Sequence, residues 1–152
     1  MKDTELAYVA GFFDGEGSIS ITPIAIVTPR QKCTFSLRAQ AVSTNKEAVN
    51  TLLSLFGGDI TRKPVCGNRQ ECWTWRVSNI KAMKFLKLVL PYLRIKRPQA
   101  EKAIEFQKHK TRGGKKTEEY INFEAEMKRA FSVMNRRGNG DAMITHGLIS
   151  AT

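Results

Sequence analysis

The sequence predicts an α+β domain, with a four-stranded antiparallel sheet and helices over one of its faces, in the order αββαββα. Three observations carry this. Some segments repeat apolar residues at helical spacing, and others alternate apolar and polar residues. The two kinds follow in the order helix, two strands, helix, two strands, helix. Short polar stretches separate the members of each strand pair. At 152 residues, 41% of them hydrophobic, the chain suits one domain spanning 1–152, with 111–152 as a C-terminal helical extension.

Each element has its own justification. Residues 4–15 place Leu6, Val9, Ala10 and Phe13 at helical spacing, with Asp3 or Thr4 as the cap. Residues 18–27 are rich in β-branched side chains, and Pro23 marks an edge or a bulge. Residues 28–32 are a loop. Residues 33–42 alternate, with Phe35, Leu37, Ala39 and Ala41 on one face. Residues 45–56 form an amphipathic helix capped by Asn45 and ended by Gly57-Gly58. Residues 59–63 and 72–78 are strands joined by a polar loop around Gly67-Asn68. Residues 79–90 are a helix stopped by Pro91, and a further helix over 98–110 starts at Pro98. A basic loop at 111–116 leads to a helix over 117–136. Met143, Ile144, Leu148 and Ile149 in the tail are expected to dock on the core.

Composition narrows the function. Lys and Arg total 25 against 14 Asp and Glu, for a net charge of +11. The excess is concentrated: residues 30–116 hold twenty basic and five acidic side chains, while the flanking segments are slightly acidic. A basic block of that size implies a polyanionic partner, nucleic acid first. No stretch approaches the roughly 20 apolar residues of a membrane span, and residues 1–13 lack the pattern of a secretory signal, so an intracellular protein is expected. Cys33, Cys66 and Cys72 contain no C-x-x-C pair and define neither a zinc site nor a disulfide framework; two ordinary thiols are expected at Cys66 and Cys72.

The sheet face turned away from the helices must meet water or a ligand. Its expected side chains are Ser20, Thr22, Ser36, Arg38, Gln40, Arg62, Thr74 and Arg76, polar or basic and suited to base edges in a groove. Trp73 and Trp75 are expected together on the core side, and Tyr8 and the phenylalanines in the core. His109 and His146 are isolated and read as surface or helix-end residues.

The first helix is unusual. Ala7, Gly11 and Gly15 recur every four residues, a smooth stripe that admits a second helix backbone at close range although each Gly costs about 1 kcal/mol relative to Ala. A second copy of the same helix is the natural partner, giving a two-fold dimer; packing within the chain is the alternative. The stripe ends in Asp14-Gly15-Glu16-Gly17. In a dimer two copies of Glu16 would meet near the axis, and a hard divalent ion such as Mg²⁺ would relieve their repulsion. Asp14 either joins them or caps local backbone amides. Carboxylate-held metal beside a basic surface describes a metal-dependent phosphodiesterase.

The string Val9-Ala10-Gly11-Phe12-Phe13-Asp14-Gly15-Glu16-Gly17-Ser18-Ile19 resembles the LAGLIDADG motif of homing endonucleases. The segment 91–100, from Pro91 to Ala100, resembles the family's stretch after its third helix. The resemblance covers roughly residues 4–110 and implies a saddle-shaped sheet. One motif per chain implies a homodimer. It further implies Glu16 and the Gly15 carbonyl as metal ligands and Lys96 as the basic active-site residue. Arg94 would be a phosphate contact, and Ser43 would stand where the family often has a water-ordering Gln. Base and phosphate contacts to double-stranded DNA would extend to Lys63, to Arg30, Gln31 and Lys32 in one hairpin loop, and to Arg69 and Gln70 in the other. The implied reaction is Mg²⁺-dependent hydrolysis of both strands at a long pseudo-palindromic site, leaving short 3′ overhangs. Mn²⁺ would substitute, and Ca²⁺ would support binding without cleavage. Relatives that act as RNA maturases, or a non-cleaving regulator, are the competing implications.

Overall fold

The computed structural model describes residues 1–24, 34–110 and 116–136. Its elements are α1 (Asp3–Glu16), β1 (Gly17–Ile24), β2 (Thr34–Ser43), α2 (Lys46–Phe56), β3 (Asp59–Lys63), β4 (Cys72–Ser78), α3 (Asn79–Val89), α4 (Arg97–His109) and α5 (Glu118–Met134). The strands form one antiparallel sheet in the order β1-β2-β4-β3. The expected architecture is present, and β1, with its Pro23, is an edge strand.

Strand alternation divides the sheet cleanly. Ile19, Ala39 and Val77 lie abreast, as do Ala41, Trp75 and Ile60. With Leu37 and Ile21 they form the floor on which Leu6, Val9, Ala10 and Phe13 of α1, Val49 and Leu52 of α2, and Ala82, Phe85, Leu86 and Val89 of α3 pack. Phe85 is the hub: its ring meets Phe13, Phe56 and Trp75 edge-on at centroid distances of 5.0, 4.8 and 5.0 Å. Trp73 and Trp75 share this face as expected. The Trp75 Nε1–H donates to the Gly57 carbonyl at 2.8 Å, which ties the β4 floor to the end of α2. Gly57 closes that helix at φ +67°, a left-handed conformation suited to glycine.

Several local expectations are corrected. Neither Asp3 nor Thr4 caps α1; the helix starts one residue earlier, and the Glu5 carboxylate accepts the Lys2 N–H at 3.0 Å. Tyr8 is not in the core but 65% exposed, because the buried stripe of α1 runs through Leu6, Val9, Ala10 and Phe13 and Tyr8 faces outward. Pro91 does end α3, yet the chain continues through a 3₁₀ turn, Leu90–Tyr92, before α4. Asn45 caps α2 as expected, accepting from Glu47 N–H at 2.9 Å. Cys66 and Cys72 are free thiols. The tail residues Met143, Ile144, Leu148 and Ile149, with Cys33 and His146, lie outside the described residues.

Helix α5 covers the open edge of β1. Lys128 Nζ donates to the Ile21 carbonyl at 2.8 Å and Asn135 Nδ2 to the Ile19 carbonyl at 2.9 Å, so side chains satisfy acceptors that a fifth strand would otherwise take. At the start of α5, the Lys116 ammonium meets the buried Glu124 carboxylate at 2.6 Å.

Candidate nucleic-acid interface and catalytic junction

The second sheet face is mostly polar, with Ile24 and Val42 its apolar members. Ser18, Gln40, Arg76 and Asp59 lie abreast across the four strands; Ser20, Arg38 and Ser78 form the next row, and Thr22 and Ser36 the one beyond. The register therefore gathers Ser20, Thr22, Ser36, Arg38, Gln40 and Arg76 as the sequence implied. Two expected members differ. Arg62 pairs with Trp73, which puts it on the helix side of the edge strand, where its guanidinium is bound to Glu71. Thr74 is on the polar face, between Val42 and Thr61, but only 2% exposed, so its hydroxyl is closed to a ligand. Lys63, one residue past Arg62, takes the polar side with exposed Thr61. Arg69 and Gln70 are exposed beyond the β3–β4 turn, which the Cys66–Arg69 bridge closes. Arg30, Gln31 and Lys32 lie outside the described residues.

The chemistry-bearing residues meet at the C-terminal end of α1. Asp14 is buried, and its carboxylate faces the backbone of the 94–96 loop. Oδ2 accepts from Arg94 N–H at 2.8 Å and Ile95 N–H at 3.3 Å, and Oδ1 from Lys96 N–H at 2.9 Å. The Lys96 ammonium donates in turn to the Asp14 carbonyl. Of the two roles open to Asp14, capping is thus the one realised, on a loop eighty residues away rather than on local amides. A carboxylate accepting several N–H groups at once is a strong, geometrically selective latch.

This latch holds Lys96 beside Glu16. Burial pushes the Lys96 ammonium below its ordinary pKa, while the charges of Asp14 and then Glu16 oppose the shift. Glu16 is exposed at the last position of α1, next to exposed Gly15. Arg94 is exposed on the same loop. Gly17 is fixed by sterics: a Cβ there would overlap the Phe13 ring and carbonyl. Ser43 ends β2 on the helix-bearing face opposite Trp73, and its hydroxyl accepts the Asn45 N–H at 3.0 Å. It is engaged in the turn to α2 and has no described contact with Glu16 or Lys96.

The donor set is one of hard oxygens. Glu16 supplies an exposed carboxylate, and the last carbonyls of α1 lack the helical donors that earlier ones have. Among the described residues no group of three or more His, Cys, Asp or Glu side chains is placed to hold a metal. Glu16 and the Gly15 carbonyl would fit a divalent cation as two of its oxygen ligands, too few by themselves to fill its coordination shell.

The small-residue stripe is open. Ala7, Gly11 and Gly15 are all exposed, and a Cβ built at either glycine meets nothing within 4 Å. Intrachain packing is excluded for the described residues. Sequence reasoning missed what flanks the stripe: Tyr8 and Ile95 are exposed large apolar side chains, Ile95 at 71%. Helical period puts Tyr8 beside Ala7 and Gly11. Ile95 belongs to the latched loop, and no periodicity in the sequence marks it.

A family model described as LAGLIDADG endonuclease matches residues 9–112. Among solved structures, the chain is similar to the archaeal intron-encoded homing endonuclease I-Vdi141I complexed with DNA (TM-score 0.74, 17% identity, covering 91% of this chain and 88% of that one). It is similar to I-CvuI in complex with its target in the presence of calcium (TM-score 0.72, 18% identity, 86% and 82% covered). It is also similar to the homing endonuclease I-TnaI (TM-score 0.64, 20% identity, 92% and 93% covered). Among curated proteins none matches.

Proposed function

The chain belongs to the LAGLIDADG endonuclease family, and we propose that it is a homodimeric, site-specific DNA endonuclease using Mg²⁺ to hydrolyse both strands of a long pseudo-palindromic target. The observation that carries this is the junction at the end of α1, where Asp14 latches the 94–96 loop so that Lys96 and Glu16 share one electrostatic neighbourhood. A protein that only bound nucleic acid would have no need to bury part of a lysine beside two carboxylates. The basic excess and the polar sheet face supply duplex binding.

Each residue then has a role. Glu16 and the Gly15 carbonyl would hold the divalent ion, which when bound would supply activation of water and compensation of phosphate charge. Lys96, held by its own backbone and side chain against Asp14, places a positive charge where the scissile phosphate gains negative charge. Arg94 holds a neighbouring phosphate. Two copies packed through Ala7, Gly11 and Gly15, rimmed by Tyr8 and Ile95, bring two such junctions side by side, one per strand. Side-by-side sites across the minor groove give short 3′ overhangs.

The test incubates randomised duplex DNA with the protein and its Glu16→Gln variant in Mg²⁺, in Ca²⁺ and in EDTA, and sequences cut ends and bound fractions separately. Double-strand breaks at one pseudo-palindromic motif in Mg²⁺, lost in the variant while Ca²⁺-supported binding survives, are expected. Selective binding without cleavage by the wild type would instead make the protein a regulator. Loss of selectivity for DNA would turn attention to structured RNA.

A further inference from the structure

Two arginines on the central strands differ from every other basic residue of the polar face. Arg38 of β2 and Arg76 of β4 are half-buried, and the Nε of each is buried and unpartnered. No described carboxylate is bound to either. Asp59, which lies abreast of Arg76, makes no ion pair with it, and Arg38 is flanked by short Ser20 and Ser78. Their stems are packed into the pleat, so little rotamer freedom remains to be lost on binding. With Nε enclosed, each guanidinium offers its terminal Nη pair, a flat two-pronged donor. Gln40 pairs with Ser18 and Arg76 in the same row, and Thr74 is closed off, so the arginines are the longest preset donors on the polar face.

Two preset, parallel N–H donors match the adjacent O6 and N7 acceptors of guanine in the major groove, and no other base presents two acceptors there. Arg38 pairs with Ser78 and Gln40 with Arg76, so the two arginines are diagonal neighbours. Such neighbours lie about 7–8 Å apart, close to two base steps of about 3.4 Å. We propose that Arg38 and Arg76 each read one guanine, so that every half-site of the target carries two guanines within about three base pairs of each other. This rests on the duplex-binding reading above and goes beyond it by naming the bases.

The experiment selects bound molecules from a fully randomised duplex library in Ca²⁺, with the full chain and its Arg38→Ala and Arg76→Ala variants, circular dichroism confirming that each is folded. Expected is a wild-type preference for guanine of about tenfold or more at two nearby positions per half-site. Each variant should flatten one of them, a different one in each case, and leave the other intact. Arg38→Gln and Arg76→Gln provide a second reading, since the matching position should shift from guanine toward adenine. An affinity loss spread evenly over all sequences would make the arginines phosphate contacts and overturn the proposal, as would loss of preference for a base other than guanine. A wild type that selects no duplex at all would overturn the duplex-binding reading itself, a result distinguishable from either of these.

Discussion

Asp14 and Lys96 are joined twice: the Asp14 carboxylate accepts the Lys96 backbone N–H at 2.9 Å, and the Lys96 ammonium donates back to the Asp14 carbonyl. The two contacts restrain position and direction together. A carboxylate one residue before the motif's glycine therefore sets where a lysine eighty-two residues later can place its charge.

Removing the lysine charge separates chemistry from binding. Lys96→Ala is expected to slow cleavage about 100-fold or more while changing DNA affinity less than tenfold. Single-turnover cleavage rates and Ca²⁺ binding isotherms check this; equal losses in both would make Lys96 a binding residue only.

Loosening the latch tests positioning. Asp14→Asn keeps the shape but replaces a charged acceptor of three backbone N–H groups by a neutral amide, half of which cannot accept. A stability loss of about 1–3 kcal/mol is expected in denaturant unfolding. Cleavage should fall although Lys96 and Glu16 are intact.

The lowered pKa of Lys96 has a stability consequence with a definite sign. Below its folded-state pKa the lysine is protonated in both states, and burying that charge costs stability. Between that value and the ordinary lysine value the unfolded chain binds the extra proton. Stability contributed by this residue therefore rises with pH across that window. Unfolding titrations of wild type against Lys96→Met over the alkaline range should show the rise in the first and not in the second.

The open stripe predicts a separable dimer. Gly11→Arg faces empty space within one chain, so the fold should survive with a melting temperature close to wild type. Sedimentation should show the 17.1 kDa species alone. A wild type that is also monomeric, with and without DNA, would remove the two-fold reading.

The α5 cover predicts an edge phenotype. Lys128→Ala with Asn135→Ala removes both side-chain donors to β1. Amide exchange should then accelerate in β1, and self-association should increase as its carbonyls become available to other strands.

The sheet was legible because alternation with period two reports the face of each strand, and Trp73-Thr74-Trp75 shows it without ambiguity. The face of Arg62 was not, since a five-residue edge strand exposed nearly throughout carries no apolar pattern to set its phase. Tyr8 illustrates another gap: it falls at helical spacing from other apolar residues, and only the packing of α1 against α3 and the sheet decides which stripe faces inward. The partners of Asp14, and those of Lys128 and Asn135 on β1, join residues eighty to more than a hundred positions apart. No local pattern encodes such pairs. Glu16 and Lys96 were each picked out by their motifs, while the means of holding Lys96 at the end of α1 was visible only in three dimensions.

The strict division of the sheet into two faces also bears on how such a chain can change over time. On β1, β2 and β4 the even-numbered residues line the polar side and the odd-numbered ones the floor under the helices. The junction of Asp14, Glu16 and Lys96 draws on neither set. Exchange of Arg38, Gln40 or Arg76 thus alters what the polar face contacts without touching the apolar core under the helices or the charges of that junction. A lineage of this protein can drift to new sequences one polar-face side chain at a time, while the junction at the end of α1 is inherited unaltered.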